Sequence, residues 1–421
     1  MILERFKVPA KDIVRVPEAA LRRTVTQIFE KLGVSPEDAA EGADVLTMTD
    51  LRGVETHGVS NMLRMYVQSY KSGQLEAKPG YRLVRQTPGT AVIDAERRLG
   101  IMVGPKAMRL AIEKAKNVGV GVVTVYNSGH FGAIGHYAMQ AAQHDMVGVC
   151  FTAAGLAMVP TFGAKPLLGT NPIAIAAPAR REAPMLFDVA TSAIAGNKIR
   201  LAMRVGSPLL PGWVTDKEGT PIMEEKPVFN RDEFYQAPLG GTREQGSHKG
   251  YGFALMAEVL ATMLAGAMPT MLSPQSGSKN HFAAYSIEAF TDVDQFKDSM
   301  DAMLETLRTA TPAPGQERVL YPGLSEHEEV EERRANGIPL HKEVIQWFAG
   351  ATAEMGLSPL QTLDFTDDEA VTRAEAIYKL NRRQEHECAE QNPHDPFRLR
   401  ERVDCLRNNH YHERLGKEAR A

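Results

Sequence analysis

The sequence predicts an α/β protein with a largely helical N-terminal part and a charged, helical C-terminal extension. Three observations predict it. Apolar residues recur at helical spacing over the first 70 positions, short apolar strands alternate with helical segments between residues 91 and 152, and the composition turns strongly charged after about residue 356. The 421 residues are 43% hydrophobic and 24% charged, the balance of a globular chain with room for a large core. A formal net charge of −4 gives no reason to expect a nucleic-acid binder.

Leu21, Val25, Ile28, Phe29 and Leu32 share one helical face, and Gly33 ends that helix. Ser35 then caps a second helix, with Pro36 at its first position. A third begins just after His57, with Val59, Met62, Leu63, Tyr66, Val67 and Tyr70 on one face. Strands are expected at 91–95, 120–126 and 147–152, with helices at 104–117 and 133–144 between them; further short apolar runs lie at 172–178 and 185–190. Residues 253–264 are apolar almost all round and read as a buried helix. Thr366 and Glu369 match a capping box that opens a long helix in the extension.

Cys150, Cys388 and Cys405 are too few and too scattered for a disulfide framework, which fits a reducing cytoplasm. The N-terminal residues lack the apolar core of a signal peptide, and the longest uncharged stretch, 146–164, contains Pro160, Thr152 and Thr161, so no membrane span is expected.

Four segments carry candidate chemistry. In DLRGVETHGVS, His57 sits at an expected helix start, where the dipole disfavours imidazolium; it either caps the helix or moves a proton. Arg52, five residues earlier, suits bidentate binding of a carboxylate. NSGHFGAIGHYA follows a strand and opens a helix, placing His130 where α/β proteins bind ligands; its glycines fall as G-x-x-G-x-x-G, which is not the Rossmann fingerprint. In FDVATS, Asp188 binds a ribose hydroxyl or caps the next segment, and in QGSHKGYG, His248 and Lys249 lie among glycines that let a phosphate approach. No H-E-x-x-H, C-x-x-C or G-x-S-x-G occurs; His386, Cys388, Cys405, His410 and His412 in the extension lack zinc-finger spacing, and no metal is expected.

Together RGVETHGVS, NSGHFGAIGHYA, LLGTNPIAIAAP, FDVATS, PLGG and HKGYG, in this order and at these distances, resemble the malate/L-lactate/ureidoglycolate dehydrogenase family over about residues 5–355. The resemblance implies a non-Rossmann, mixed-sheet cofactor domain packed on a largely helical domain. The boundaries then read 1–90 for the helical domain (completed by about 290–355), 91–289 for the NAD(P)-binding domain and 356–421 for the extension. It also implies NAD or NADP as cofactor and a homodimer whose active site lies near the subunit interface. His57 matches the proton donor/acceptor, His130 a histidine given that role in other members, and Arg52 and Thr56 belong to the same motif. Asp188, Ala190, Thr191, Lys198, His248, Lys249, Gly250 and Gly323 match cofactor-contacting segments. Many members carry arginine where this chain has Asn61, and Arg64, one turn further on, is the expected substitute in the carboxylate clamp; Leu324 stands where many carry glutamate. The expected reaction is hydride transfer between NAD(P) and a small 2-hydroxy/2-keto acid of the malate, lactate or ureidoglycolate type. The alternatives are a cyclic imino acid reductase, a metal-dependent hydrolase and an inactive homologue.

Overall fold

The structure is a computed structural model that describes residues 4–274 and 277–363. After strand β1 (Ile13–Val16) come three helices, α1 (Glu18–Lys31), α2 (Pro36–Leu51) and α3 (Val59–Lys71). The periodic residues Leu21, Val25, Ile28 and Phe29 are the buried face of α1. Gly33 ends it in a left-handed conformation (φ 87°), and Ser35 Oγ accepts the Asp38 N–H at 3.4 Å to cap α2.

The alternating region forms β2 (Arg82–Gln86), β3 (Thr90–Asp94), α4 (Gly100–Val118), β4 (Val120–Ser128), α5 (Gly135–Ala142), β5 (Met146–Ala153), β6 (Ile173–Ala177) and β7 (Met185–Val189). Then follow α6 (Gly196–Val205), the two-residue strands β8 (Val214–Thr215) and β9 (Tyr235–Gln236), α7 (Ser247–Ala257), a π-helical continuation (Glu258–Met263) and β10 (Ser278–Ser286). The sheet order is β2-β3-β4-β10-β5-β6-β7. The β3–β4 pair is parallel, whereas β10 runs antiparallel to both of its neighbours. The sheet is therefore mixed, and the fold is not a doubly wound parallel one. Ser278–Ser286 follows the turn-rich run SPQSG but opens with the polar residues Ser278, Lys279, Asn280 and His281, and its place in the sheet emerges from long-range pairing.

The chain closes with α8 (Val293–Arg308), α9 (Leu324–Asn336), β11 (Ile338–His341) and α10 (Lys342–Glu354). β11 pairs antiparallel with β1, so residues 338–341 return to the N-terminal helices. The folded body runs past the expected boundary at 356: Leu360 is buried in the main core, and the Leu363 N–H donates to Arg15 O at 2.8 Å. The Thr366–Glu369 capping box and the histidines and cysteines of the extension lie outside the described residues.

The 253–264 segment differs from the expectation of a buried helix. Small residues, Ala254, Ala257 and Ala261, face inward, while Phe253, Leu255, Met256, Val259, Met263 and Leu264 are 37–55% exposed. Close approach to the sheet selects alanine inside and leaves the larger side chains outside. Among the described residues, no helix is long and apolar enough to cross a membrane.

Gly121 marks where α4 lies directly on β4. A Cβ there would meet Ala111 O at 1.8 Å, against backbone that cannot yield. Gly121→Ala is expected to lower stability by about 1–3 kcal/mol, the usual cost of overpacking. Gly155→Ala serves as the control, since an added Cβ at Gly155 meets nothing within 4 Å. Urea unfolding of both variants checks this, and equal midpoints would refute it.

Candidate active site

The α2–α3 connection folds tightly because two residues cooperate across it. Asp50, at the end of α2, is fully buried, and its Oδ2 accepts the N–H of Val59, the first residue of α3, at 2.8 Å. Gly58 leaves room for this carboxylate, since a Cβ there would lie 1.8 Å from Asp50 Oδ1. The group that accepts the first N–H of α3 is therefore the Asp50 carboxyl, and not the His57 ring as expected, since His57 lies one residue before the Gly58 cap. Burial pushes the Asp50 carboxyl up to about 7, against the pull of the Val59 N–H and of Arg333.

Arg52, Thr56 and His57 line one cavity of about 470 Å³, together with the Gly132–His136 turn, Asp188, Ala190, Gly323 and Glu326. Its walls come from the α2–α3 loop, the start of α5, the end of β7 and the start of α9. Gly323 is left-handed (φ 98°), and a Cβ there would meet Leu186 N at 2.7 Å. The Gly135 N–H donates to Asp188 Oδ2 at 2.7 Å. The Asp188 side chain opens to the cavity, yet the surrounding apolar wall raises its carboxyl to about 6, against Gly135 and Arg52. Burial weakens the Arg52 guanidinium, while Glu326 and Asp188 oppose the shift; an arginine so placed remains charged.

His130 stands behind His57, the two rings nearly parallel (10°) with centroids 5.7 Å apart. The Gly132 N–H donates to His130 Nδ1 at 3.0 Å, and the Tyr66 hydroxyl lies 2.8 Å from the same nitrogen. A backbone N–H only donates, so Nδ1 is an acceptor and the neutral ring carries its proton on Nε2. The Thr56 hydroxyl lies 2.9 Å from His57 Nδ1 and can serve either tautomer. Burial lowers His57 to about 4; burial and then its neighbour His57 lower His130 to about 3. Near neutral pH the site thus holds two uncharged imidazoles, one fixed as a donor and one free to exchange a proton.

The remaining expected residues lie elsewhere. Thr191 is buried, its N–H and Oγ1 both donating to Thr170 O. Gly250 backs onto Thr191, where a Cβ would meet Thr191 O at 2.6 Å and Leu239 N at 2.4 Å. Lys198 lies over the rings of Phe6 and Trp213, 5.4 Å from each centroid. His248 and Lys249 are exposed on the first turn of α7 and do not line the cavity. Arg64 is a correction to the expected clamp: it pairs with Glu343 at 2.5 Å and lies over Trp347, away from the cavity lining. His57 precedes the Gly58 cap and lies outside α3, so helical spacing counted from it does not set the direction of Arg64. Asn61 is held by Glu55 O and Arg204. Among the described residues, no three His, Cys, Asp or Glu side chains form a metal-holding group. Tyr66 and Glu326 are not signalled by any motif, and Asp50, though it opens the DLRGVETHGVS segment, is not among the expected site residues.

The His57 ring is expected to titrate near 4 rather than near the ordinary 6.5. Unfolding restores the ordinary value, so this group's contribution to stability is complete above about 6.5 and shrinks as pH falls toward 4. The ring resonance, assigned by its loss in His57→Asn, measures the midpoint, and a value of 6 or above would contradict the burial argument.

Residues 16–348 match the malate/L-lactate dehydrogenase family. The chain is 36% identical over 357 residues to the malate dehydrogenase of Pyrococcus abyssi, covering 83% of this chain and 98% of that protein. It is 35% identical over 347 residues to the L-sulfolactate dehydrogenase of Methanocaldococcus jannaschii, covering 80% and 96%. The crystal structure of malate dehydrogenase from Entamoeba histolytica superposes with a TM-score of 0.78 at 30% identity, covering 84% of this chain and 100% of that one. In sequence and in fold alike, the protein belongs to the malate/L-lactate dehydrogenase family of oxidoreductases.

Proposed function

We propose that the protein transfers a hydride between a nicotinamide dinucleotide, NAD or NADP, and a small 2-hydroxy/2-keto acid. The observation that carries this reading is the convergence of His57 and Arg52 in one cavity, with His130 stacked against His57. The residues present fit such a cofactor. The cavity volume falls within the roughly 300–1,000 Å³ of small-molecule sites, Asp188 offers a carboxylate to a ribose hydroxyl, and Gly323 lets the start of α9 pack directly on the backbone at Leu186 in the cavity wall. The nicotinamide supplies the hydride chemistry. Arg52 holds the carboxylate, His57 accepts the hydroxyl proton during oxidation and returns it during reduction, and His130, stacked behind His57, orients that ring. The relatives named malate and sulfolactate dehydrogenase support the 2-hydroxy acid class. The exposed apolar face of α7 and its π-helical continuation supports a homodimer.

Absorbance at 340 nm with NADH or NADPH against malate-, lactate-, sulfolactate- and ureidoglycolate-type keto acids and a cyclic imino acid tests the reading. Turnover is expected on a keto acid; turnover on the imino acid alone would make the protein a reductase of that class, and none at all would sink the proposal. His57→Ala should lower turnover roughly 10²–10⁴-fold with the fold intact. Arg52→Lys should raise KM for the keto acid roughly 10- to 100-fold, the worth of a charge-assisted bond, without changing cofactor binding. Arg64→Lys, which keeps a cation beside Glu343, should leave KM unchanged.

The homodimer has its own check. Met256→Glu places a charge on the 47%-exposed position of the apolar face and should shift the sedimentation coefficient from dimer to monomer. An unchanged dimer would move the interface elsewhere.

A further inference from the structure

The loop from Arg52 to Gly58 delivers four side chains to the cavity, those of Arg52, Val54, Thr56 and His57, yet it belongs to no strand or helix. Its own backbone gives it turn bonds only, such as Val54 N–H to Thr49 O and His57 N–H to Val54 O, each 3.0 Å. Something must hold it in one geometry, because a general acid/base works only from a fixed place.

The other end of the molecule provides the contact. Arg333, on α9, is 4% exposed. Its Nη1 donates to Asp50 O at 2.7 Å, at the C-terminal turn of α2. Its Nη2 donates to Glu55 Oε1 at 3.0 Å, two residues before His57. Its Nε donates to Glu329 Oε2 at 2.8 Å, one turn back on its own helix. The guanidinium thus bridges the loop from residue 50 to residue 55, and Gly53 packs against it: a Cβ there would lie 3.4 Å from Arg333 Nη2. The same helix is capped by Gly323 and carries Ser325 and Glu326, which also line the cavity. One side chain therefore joins the wall that bears His57 to the wall that bears the start of α9.

Two features make this more than a stabilising ion pair. The Asp50 bond goes to backbone, so it fixes the path of the chain and not merely a charge. The three donors also leave one planar fork in three directions, which an ammonium on a flexible stem does not reproduce. A buried pair is weak evidence for net stability, since its desolvation offsets much of its attraction; its geometric role is the stronger reading.

We propose that Arg333 is a positioning residue for proton transfer, fixing the Arg52–Gly58 loop against α9 so that His57 and the start of α9 keep one geometry. This rests on the reading of His57 as the acid/base.

The test uses the full chain with Arg333→Lys and, as a milder variant that keeps the shape of the side chain, Glu55→Gln. Arg333→Lys is expected to lower kcat roughly 10- to 100-fold, the cost of a small misplacement, with the dissociation constant for NADH or NADPH unchanged. Glu55→Gln is expected to lower kcat several-fold in the same pattern. In both, the His57 ring resonance should move toward that of a solvated histidine, a change that lowered stability alone does not cause. Wild-type kcat per folded molecule with an unmoved His57 resonance overturns the proposal. If Arg333→Lys does not fold, Glu55→Gln decides by the same two readouts. The resonance is read without substrate, so an enzyme inactive on every keto and imino acid would refute the proposed function while the ring still reports on the clamp.

Discussion

The architecture depends on one strand entering the sheet from far along the chain. β10 lies between β4 and β5, paired antiparallel over its length with both. Without it, β4 and β5 would have no shared partner and the sheet would split into β2-β3-β4 and β5-β6-β7. Its interior position explains its composition: Lys279 and Asn280 are fully buried there along with Phe282, Ala283 and Ala284. Polar groups at such depth need protein partners; Lys279 finds Thr270 and the Asn280 Oδ1 accepts from the Thr152 hydroxyl, while the Asn280 Nδ2 has no hydrogen-bond partner among the described residues. By holding β4 and β5 apart, the strand sets where β4 ends and the His130 turn begins, so the cavity inherits its geometry from a pairing about 150 residues distant in sequence.

Electrostatics at the site follows from burial more than from charge pairing. Both histidines are kept neutral chiefly by the low-dielectric surroundings. The helix dipole acts one step away, through Asp50, whose carboxylate occupies the N-terminus of α3. A histidine at that terminus would be held neutral by the dipole and also tied to it. With Asp50 there instead, the His57 Nδ1 takes the Thr56 hydroxyl as its side-chain partner among the described residues.

Local structure is legible in the sequence wherever one element carries its own signal. The α1 face, the Ser35 cap and the strands at 120, 147 and 185 need only periodicity and turn chemistry. The motif residues Arg52, Thr56, His57, Asp188, Ala190 and Gly323 do meet in one cavity. What stays hidden depends on pairs remote in sequence. β10 is defined by its neighbours, Tyr66 matters through His130, 64 residues away, and Arg333 through Glu55, 278 residues away. The direction of Arg64 escapes a helical wheel extended back to His57, because that residue lies outside the helix. The apolar run at 253–264 specifies a helix but not its depth, since alanines and large side chains count alike as apolar.

The short Asn61 amide on α3 leaves space that the Arg204 guanidinium enters from α6, donating to Asn61 Oδ1 at 3.1 Å and to Ser60 O at 3.0 Å. The amide completes its own bonding through Glu55 O, at 3.1 Å. Glu343 pairs with Arg204 at 3.3 Å and with Arg64 at 2.5 Å. Two guanidinium groups thus share one carboxylate beside the start of α3. Burial weakens the Arg204 cation while Glu343 supports it, and the two arginines hold the Glu343 carboxyl below its usual range despite the cost of burial. The bonding around Asn61 is therefore a property of three packed elements, α3, α6 and α10, rather than of the motif that contains the histidine.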